Sequence, residues 1–344
     1  MVKASNSKIS GTFLDDTKNF SKKESDVEML GVAFDLSTSY SGGAWFGPYA
    51  IVDASYQVNY EVPHFKTKLT DKVKIHSLGV LEYPQKAKKI IPVSKEMVKD
   101  VKRESLNALK ENKFLMTLGG DHSIPNGVFE ALNEKFGAKN VTIIHFDAHT
   151  DLWKNFHGNK YSHASIMSNA IELGFPTIHI GIRDHLGEDF ELFEKHNLSK
   201  NTFFCASQPK KFYKTHGIPT ENFVFNGEIS LNLIIKMLSK IRTPFAYISL
   251  DIDVLDSSII QGTGTPMPHG LSLKSLENCL HRIISFCKKA DVKLLGFDLV
   301  EVSPQLRKTG DYYDANNAIN TSTEMIAALL AYKILFWNYL ERFK

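Results

Sequence analysis

His145, Asp147, His149 and Asp151 stand two residues apart at the end of the apolar run Val141-Thr-Ile-Ile. In an extended strand alternate side chains share a face, so this spacing predicts four polar groups pointing one way. Carboxylates and imidazoles gathered at the end of a buried strand repel or stay unsatisfied unless a cation sits among them. Two further apolar runs end similarly: Phe245-Ala-Tyr-Ile-Ser-Leu250 leads into Asp251 and Asp253, and Phe114-Leu-Met-Thr-Leu118 leads through Gly119-Gly120-Asp121 to His122. The set is rich in oxygen, holds two or three imidazoles and lacks cysteine, which suits Mn²⁺ better than a structural zinc. Four carboxylates exceed what one divalent ion needs, so two ions sharing bridging aspartates is the natural count.

The elements that must position these residues alternate along the chain. Strands are expected at 27–34, 73–80, 114–118, from 141, from 177 (a strand and loop over 177–184), at 202–206, 245–250 and 294–300, and helices at 95–111, 123–136, 186–197, 230–241, from 271 and at 322–339. Pro48 is placed to start a helix after the glycine-rich stretch that follows the first strand. His179 alternates with apolar neighbours and reads as a strand residue, not a ligand. Lys210, Lys211 and Lys214 belong to a basic surface excursion over 207–227. Asp256 either supports the site or caps a turn.

Strands alternating with helices, with ligands at strand ends, imply an α/β fold with an open, mainly parallel sheet and its site at the carboxyl edge. With 344 residues and no composition break, one large domain over 26–344 is expected, preceded by a polar, flexible tail at 1–25. Lys and Arg total 41 against 38 Asp and Glu, and the basic residues are scattered, so no nucleic-acid role is indicated. Cys205, Cys279 and Cys287 are too few and unpatterned for structural disulfides. With no apolar segment of spanning length and no hydrophobic leader, the expected location is cytoplasmic and off the membrane.

Gly119-Gly-Asp-His122, His145-Phe-Asp-Ala-His-Thr-Asp151, Ser249-Leu-Asp-Ile-Asp-Val-Leu-Asp256, Gly262-Thr-Gly-Thr-Pro266 and Gly296-Phe-Asp-Leu-Val-Glu-Val-Ser-Pro304 together resemble the signature blocks of the ureohydrolases, the arginase and agmatinase family. The resemblance runs from about residue 30 to the C-terminus. It implies a three-layer α/β/α fold with two Mn²⁺ ions, or another divalent metal, per subunit. His122, Asp147, Asp151 and Asp251 would hold one ion, and Asp147, His149, Asp251 and Asp253 the other. It also implies that Asp151 orients a hydroxide generated between the ions, that Glu301 holds the guanidinium and that His163, in preference to His157, relays a proton. Assembly as a homo-oligomer, a trimer or hexamer, follows from the same resemblance. Ser41, Trp45 and Val52 depart from it, standing where the family often carries arginine.

The implied reaction is hydrolysis of a guanidino group to urea and an amine. The loop Leu152-Trp-Lys-Asn-Phe-His157 lacks the Asn-Thr-Pro start with which arginases read an amino acid, and Tyr161-Ser-His163-Ala-Ser looks agmatinase-like. Agmatine is therefore the expected substrate, in polyamine biosynthesis. Lys154 and Lys160 keep guanidinobutyrate and related guanidino acids open, and arginine and a formimino substrate also remain. A silent scaffolding relative would have lost ligands, and none is missing.

Overall fold

Runs of buried β-branched and aromatic residues form the strands β2 (Val27–Ala33), β3 (Ile75–Glu82), β4 (Phe114–Leu118), β5 (Val141–Phe146), β6 (Thr177–Ile182), β7 (Thr202–Cys205), β8 (Phe223–Val224), β9 (Phe245–Asp251) and β10 (Lys293–Val300), all mutually parallel. In this computed structural model the described residues are 6–7, 12–15, 18–58, 69–184, 191–193, 195–217, 219–309, 312–319 and 322–340. The strand β1 (Asn6–Ser7) adds an antiparallel edge beside β3, and the sheet order is β1-β3-β2-β4-β10-β9-β5-β6-β7-β8. Within the N-terminal stretch read as a tail, Phe13 is fully buried and Asn19 Oδ1 accepts from the Ser77 amide.

The period of two divides each strand between two cores. Ile144 and Phe146 of β5 and Ala246, Ile248 and Leu250 of β9 join one core, covered by helices Gly47–Ser55, Leu231–Leu238, Leu273–Lys289 and Ser322–Leu340. Val141, Ile143 and Tyr247 join the other, under helices Ile90–Lys110, Pro125–Phe136 and Ile166–Leu173. The result is the expected three-layer α/β/α arrangement.

Local chemistry explains the helix boundaries. Ser230 and Ser272 cap their helices by accepting from the amides of Leu233 and Ser275, and Gly174 closes Ile166–Leu173 in the left-handed region. Helix Ile90–Lys110 starts five residues before the expected 95, because Ile90 and Ile91 are exposed and give no buried periodicity at its first turn. Of the expected helix at 186–197, residues 191–193 and 195 are helical, and 186–190 and 194 lie outside the described residues. Inside the basic excursion lie a short helix, Lys210–Thr215, and β8. Beyond the sheet, β11 (Gln305–Thr309) and β12 (Tyr312–Ile319) form an antiparallel ribbon with no counterpart in the sequence reading. Among the described residues no helix is long and apolar enough to cross a membrane.

Candidate metal centre and active site

The chain leaves β4 for β5 by skipping two places in the sheet, later filled by β10 and β9. A crevice forms where strand order reverses, and here the carboxyl ends of four adjacent strands meet. They deliver His122 after β4, Glu301 after β10, Asp251 and Asp253 from β9, and Asp147 after β5. Gly120 lets the chain turn: a Cβ there would lie 1.9 Å from the Phe34 carbonyl oxygen. Asp121 then pins the turn, its Oδ2 accepting from the Ser37 amide (3.0 Å) and hydroxyl (2.7 Å) and its Oδ1 from the Ser123 amide (3.0 Å).

His122 Nδ1 lies 2.9 Å from Asp147 Oδ2, 3.2 Å from Asp251 Oδ2 and 3.3 Å from Asp151 Oδ2. It nevertheless makes no hydrogen bond, and Asp253 Oδ2 is likewise buried without a partner. His149 Nδ1 lies 3.0 Å from that Asp253 oxygen and 3.2 Å from Asp147 Oδ1. Donor atoms therefore crowd about two points, one among His122, His145, Asp147 and Asp151 and one among Asp147, His149 and Asp253, with Asp147 in both. Close approach without hydrogen-bond geometry is what lone pairs aimed at a common centre produce, so the residues fit a metal.

The electrostatics agree. Burial pushes the Asp151 and Asp251 carboxyls well above the ordinary carboxylate range, and neighbouring carboxylates push them further. Burial pulls the His122 and His149 imidazoles down, but the carboxylates around them outweigh it and hold both well above the usual range. Protons thus supply, in the protein alone, the positive charge that a cation would bring.

Behind the candidate ligands a polar row crosses the otherwise apolar sheet. Adjacent strands place Thr117, Asp298, Ser249, His145, His179 and Thr202 in register, and all six are buried. Ser249 Oγ donates to Asp298 Oδ1 (2.8 Å), so it accepts from His122 Nε2 (3.0 Å). That bond fixes the Nε2–H tautomer of a neutral His122 and leaves Nδ1 bare for a ligand. Burial pushes the Asp298 carboxyl up to about 6. His149 is steered from outside by Asp184, 3.6 Å from its Nε2.

His145, Asp147, His149 and Asp151 do not form one strand face. Strand β5 ends at Phe146, and the segment beyond it turns: the His149 amide donates to Asp147 Oδ1 (2.6 Å), and Asp151 adopts φ 51°. Glu301 is also left-handed, at φ 61°. Two strained non-glycine residues among the site carboxylates mark a backbone bent to aim side chains. Glu301 Oε1 accepts from the His122 amide (2.8 Å), and Oε2 lies beside Gly264 of the Gly262–Pro266 turn.

His163 donates its amide to Ser37 Oγ (3.0 Å), which ties it through Asp121 to the His122 turn. Burial and the positive charge at His149 and His122 push its imidazole down to about 4. His157 is exposed, at φ 50°. Asp256 caps a turn, accepting from the amides of Ser258 (2.9 Å) and Gly270 (3.0 Å). Trp45 Nε1 donates to the Tyr83 carbonyl (2.7 Å), Val52 is core and Ser41 is exposed. Ser249, Asp298 and Asp184 were not singled out from sequence; the available signal was a polar residue two positions before a ligand in an apolar strand, as in Ser249 before Asp251.

The Arginase family model matches residues 25–337. The chain is 30% identical over 313 residues to the N(1)-aminopropylagmatine ureohydrolase of Thermus thermophilus, covering 90% of this chain and 89% of that protein. It is 28% identical over 311 residues to the agmatinase of Bacillus subtilis, covering 90% and 92%. Among solved structures, the agmatine ureohydrolase of Thermoplasma volcanium superposes with a TM-score of 0.69 at 26% identity, over 94% of each chain. With the fold, the blocks and the buried imidazole and carboxylate cluster in agreement, the chain belongs to the arginase family.

Proposed function

We propose that this protein hydrolyses a guanidino amine, agmatine first, to urea and the corresponding amine, putrescine for agmatine. The observation that carries the reading is His122 Nδ1 held within 3.3 Å of three buried carboxylates without a hydrogen bond, beside Glu301. His122, Asp147, Asp151 and Asp251 would hold one divalent ion and Asp147, His149, Asp251 and Asp253 a second, with Asp147 and Asp251 shared. His145, although close, has both nitrogens engaged, with Asp147 and His179, and belongs behind the ligands. An oxygen-rich set without thiolate favours Mn²⁺. When bound, the ions would supply Lewis acidity that ionises water near neutral pH.

The remaining steps fall to side chains. Glu301, with Oε1 fixed by the His122 amide, would accept a charge-assisted hydrogen bond from the guanidinium through Oε2. Asp151 would orient the attacking water. The His163 ring, neutral at pH 7, would take a proton from the addition step and pass it to the departing amine.

Two observations favour an amine over a guanidino acid. Lys160 is paired with Glu172 at 3.0 Å, which leaves only exposed Lys154 of the two lysines that kept a carboxylate substrate open. Trp153 and Phe156 bring aromatic faces to the loop, with the Phe156 ring 5.5 Å from His163, and such faces attract a cationic tail. A second reading, N1-aminopropylagmatine, is favoured by the 30% identity to an enzyme of that name. Urea release from agmatine, N1-aminopropylagmatine, arginine, guanidinobutyrate and guanidinopropionate, with ammonia or formamide release from formiminoglutamate, tests it. One of the two amines should be fastest, and a carboxylated substrate in first place would overturn the reading.

The same proposal includes a single ureohydrolase domain over 26–344, a homo-oligomer of three or six chains and a role in polyamine biosynthesis. A cytoplasmic location fits Cys205, Cys279 and Cys287, all free and buried.

A further inference from the structure

The half of the polar row that lies under Asp147 has a direction. His145 Nε2 is 2.9 Å from Asp147 Oδ2, the oxygen that faces His122 Nδ1. Unlike the His122 Nδ1 contact with the same oxygen, this one has hydrogen-bond geometry, and a carboxylate can only accept, so Nε2 carries a proton and donates. A neutral His145 then has a bare Nδ1, which faces His179 Nδ1 at 3.2 Å. Only a proton on His179 Nδ1 makes that contact favourable. His179 Nε2 is then bare and accepts from Thr177 Oγ1, 3.0 Å away. All three residues are buried, and Thr177 and His179 sit two apart on β6 with a common face.

We infer that Thr177, His179 and His145 form a one-way hydrogen-bond chain that presents an N–H to Asp147 from beneath the site and holds its Oδ2 in the ligand position. His179 is thus a positioning residue acting through His145. Its role as an upstream orienter of a carboxylate rests on the reading of Asp147 as a ligand, but the chain itself does not. Buried imidazoles are costly unless hydrogen-bonded, and the chain accounts for two of them where an apolar pair would fill a sheet interior.

The first measurement uses the full-length, metal-free wild-type protein with ¹⁵N-labelled imidazoles at neutral pH, the His145 and His179 signals being assigned from single His→Asn variants. Expected are a pyrrole-type Nε2 and pyridine-type Nδ1 for His145, and the reverse for His179. A protonated Nδ1 on His145, whether as the other tautomer or as an imidazolium, would overturn the inference. The second measurement is Mn²⁺ affinity by competition with a chelating dye. His179→Leu removes the donor and should weaken Mn²⁺ binding, by less than the roughly 10- to 100-fold that losing His145, the ligand's own partner, would cost. His179→Asn returns an N–H near the Nδ1 position and should restore most of it. Equal affinities for the Leu and Asn variants would overturn the role. Neither readout depends on which guanidino compound is turned over, so a wrong substrate leaves this test intact.

Discussion

Replacing Ser249 by alanine removes one oxygen and breaks two buried hydrogen bonds, from His122 Nε2 (3.0 Å) and to Asp298 Oδ1 (2.8 Å). Ser249 and Asp298 are wholly buried and His122 is 1% exposed, so water cannot replace either bond without entering the sheet. An unsatisfied buried group costs about 1–3 kcal/mol, which places the loss for the two at roughly 2–6 kcal/mol in the metal-free protein. The effect on the metal is separate. Without its acceptor, Nε2–H no longer fixes the His122 tautomer, and loss of such an orienting partner weakens binding by about 10- to 100-fold, or about 1.4–2.8 kcal/mol. Urea denaturation of metal-free and Mn²⁺-saturated protein should therefore show a larger loss for the saturated form. A Ser249→Ala variant that is less stable but binds Mn²⁺ as tightly as wild type would refute the claim that Ser249 orients the ligand.

Further outcomes follow from the same site. His163→Ala should lower the turnover number by about 10²-fold at unchanged metal content, whereas His157→Ala should leave it unchanged; steady-state kinetics with elemental analysis separates them. A folded His163 near 4 binds its proton more weakly than an unfolded one near 6.5, so protonation favours unfolding. Its contribution to stability is complete above about 6.5 and is lost as pH falls towards 4, and His163→Phe should flatten that part of the stability profile in denaturation runs across the window. Asp298, raised to about 6, acts in the opposite sense. Its folded carboxyl holds a proton that the unfolded one releases, so its contribution falls as pH rises from about 4 through 6, and Asp298→Asn should remove that slope.

The strands that carry the site were legible in sequence because each is a short apolar run ending in charge: β4 begins and ends where the pattern puts it, and β6 begins there. Less legible was what happens after a strand stops. Alternation of side chains is a property of extended backbone, and beyond Phe146 the backbone turns through a left-handed Asp151, so the candidate ligands meet by a bend that periodicity does not encode. The polar row escaped notice for a different reason. A single Ser, His or Asp in an apolar strand reads as an isolated exception, and only register across four parallel strands makes Asp298, Ser249, His145 and His179 neighbours. Lys210–Thr215 buries no residue, so no apolar stripe announces it.

The central claim is that this cluster is a metal centre that hydrolyses a guanidino group, and metal content measured together with urea release tests it most directly. Protein dialysed against chelator should hold no metal and release no urea from agmatine or N1-aminopropylagmatine. Titration with Mn²⁺ should restore activity in step with binding, saturating at two ions per chain, and Asp147→Asn should lose metal and rate together. Full urea release by protein shown by elemental analysis to be free of metal would contradict the account.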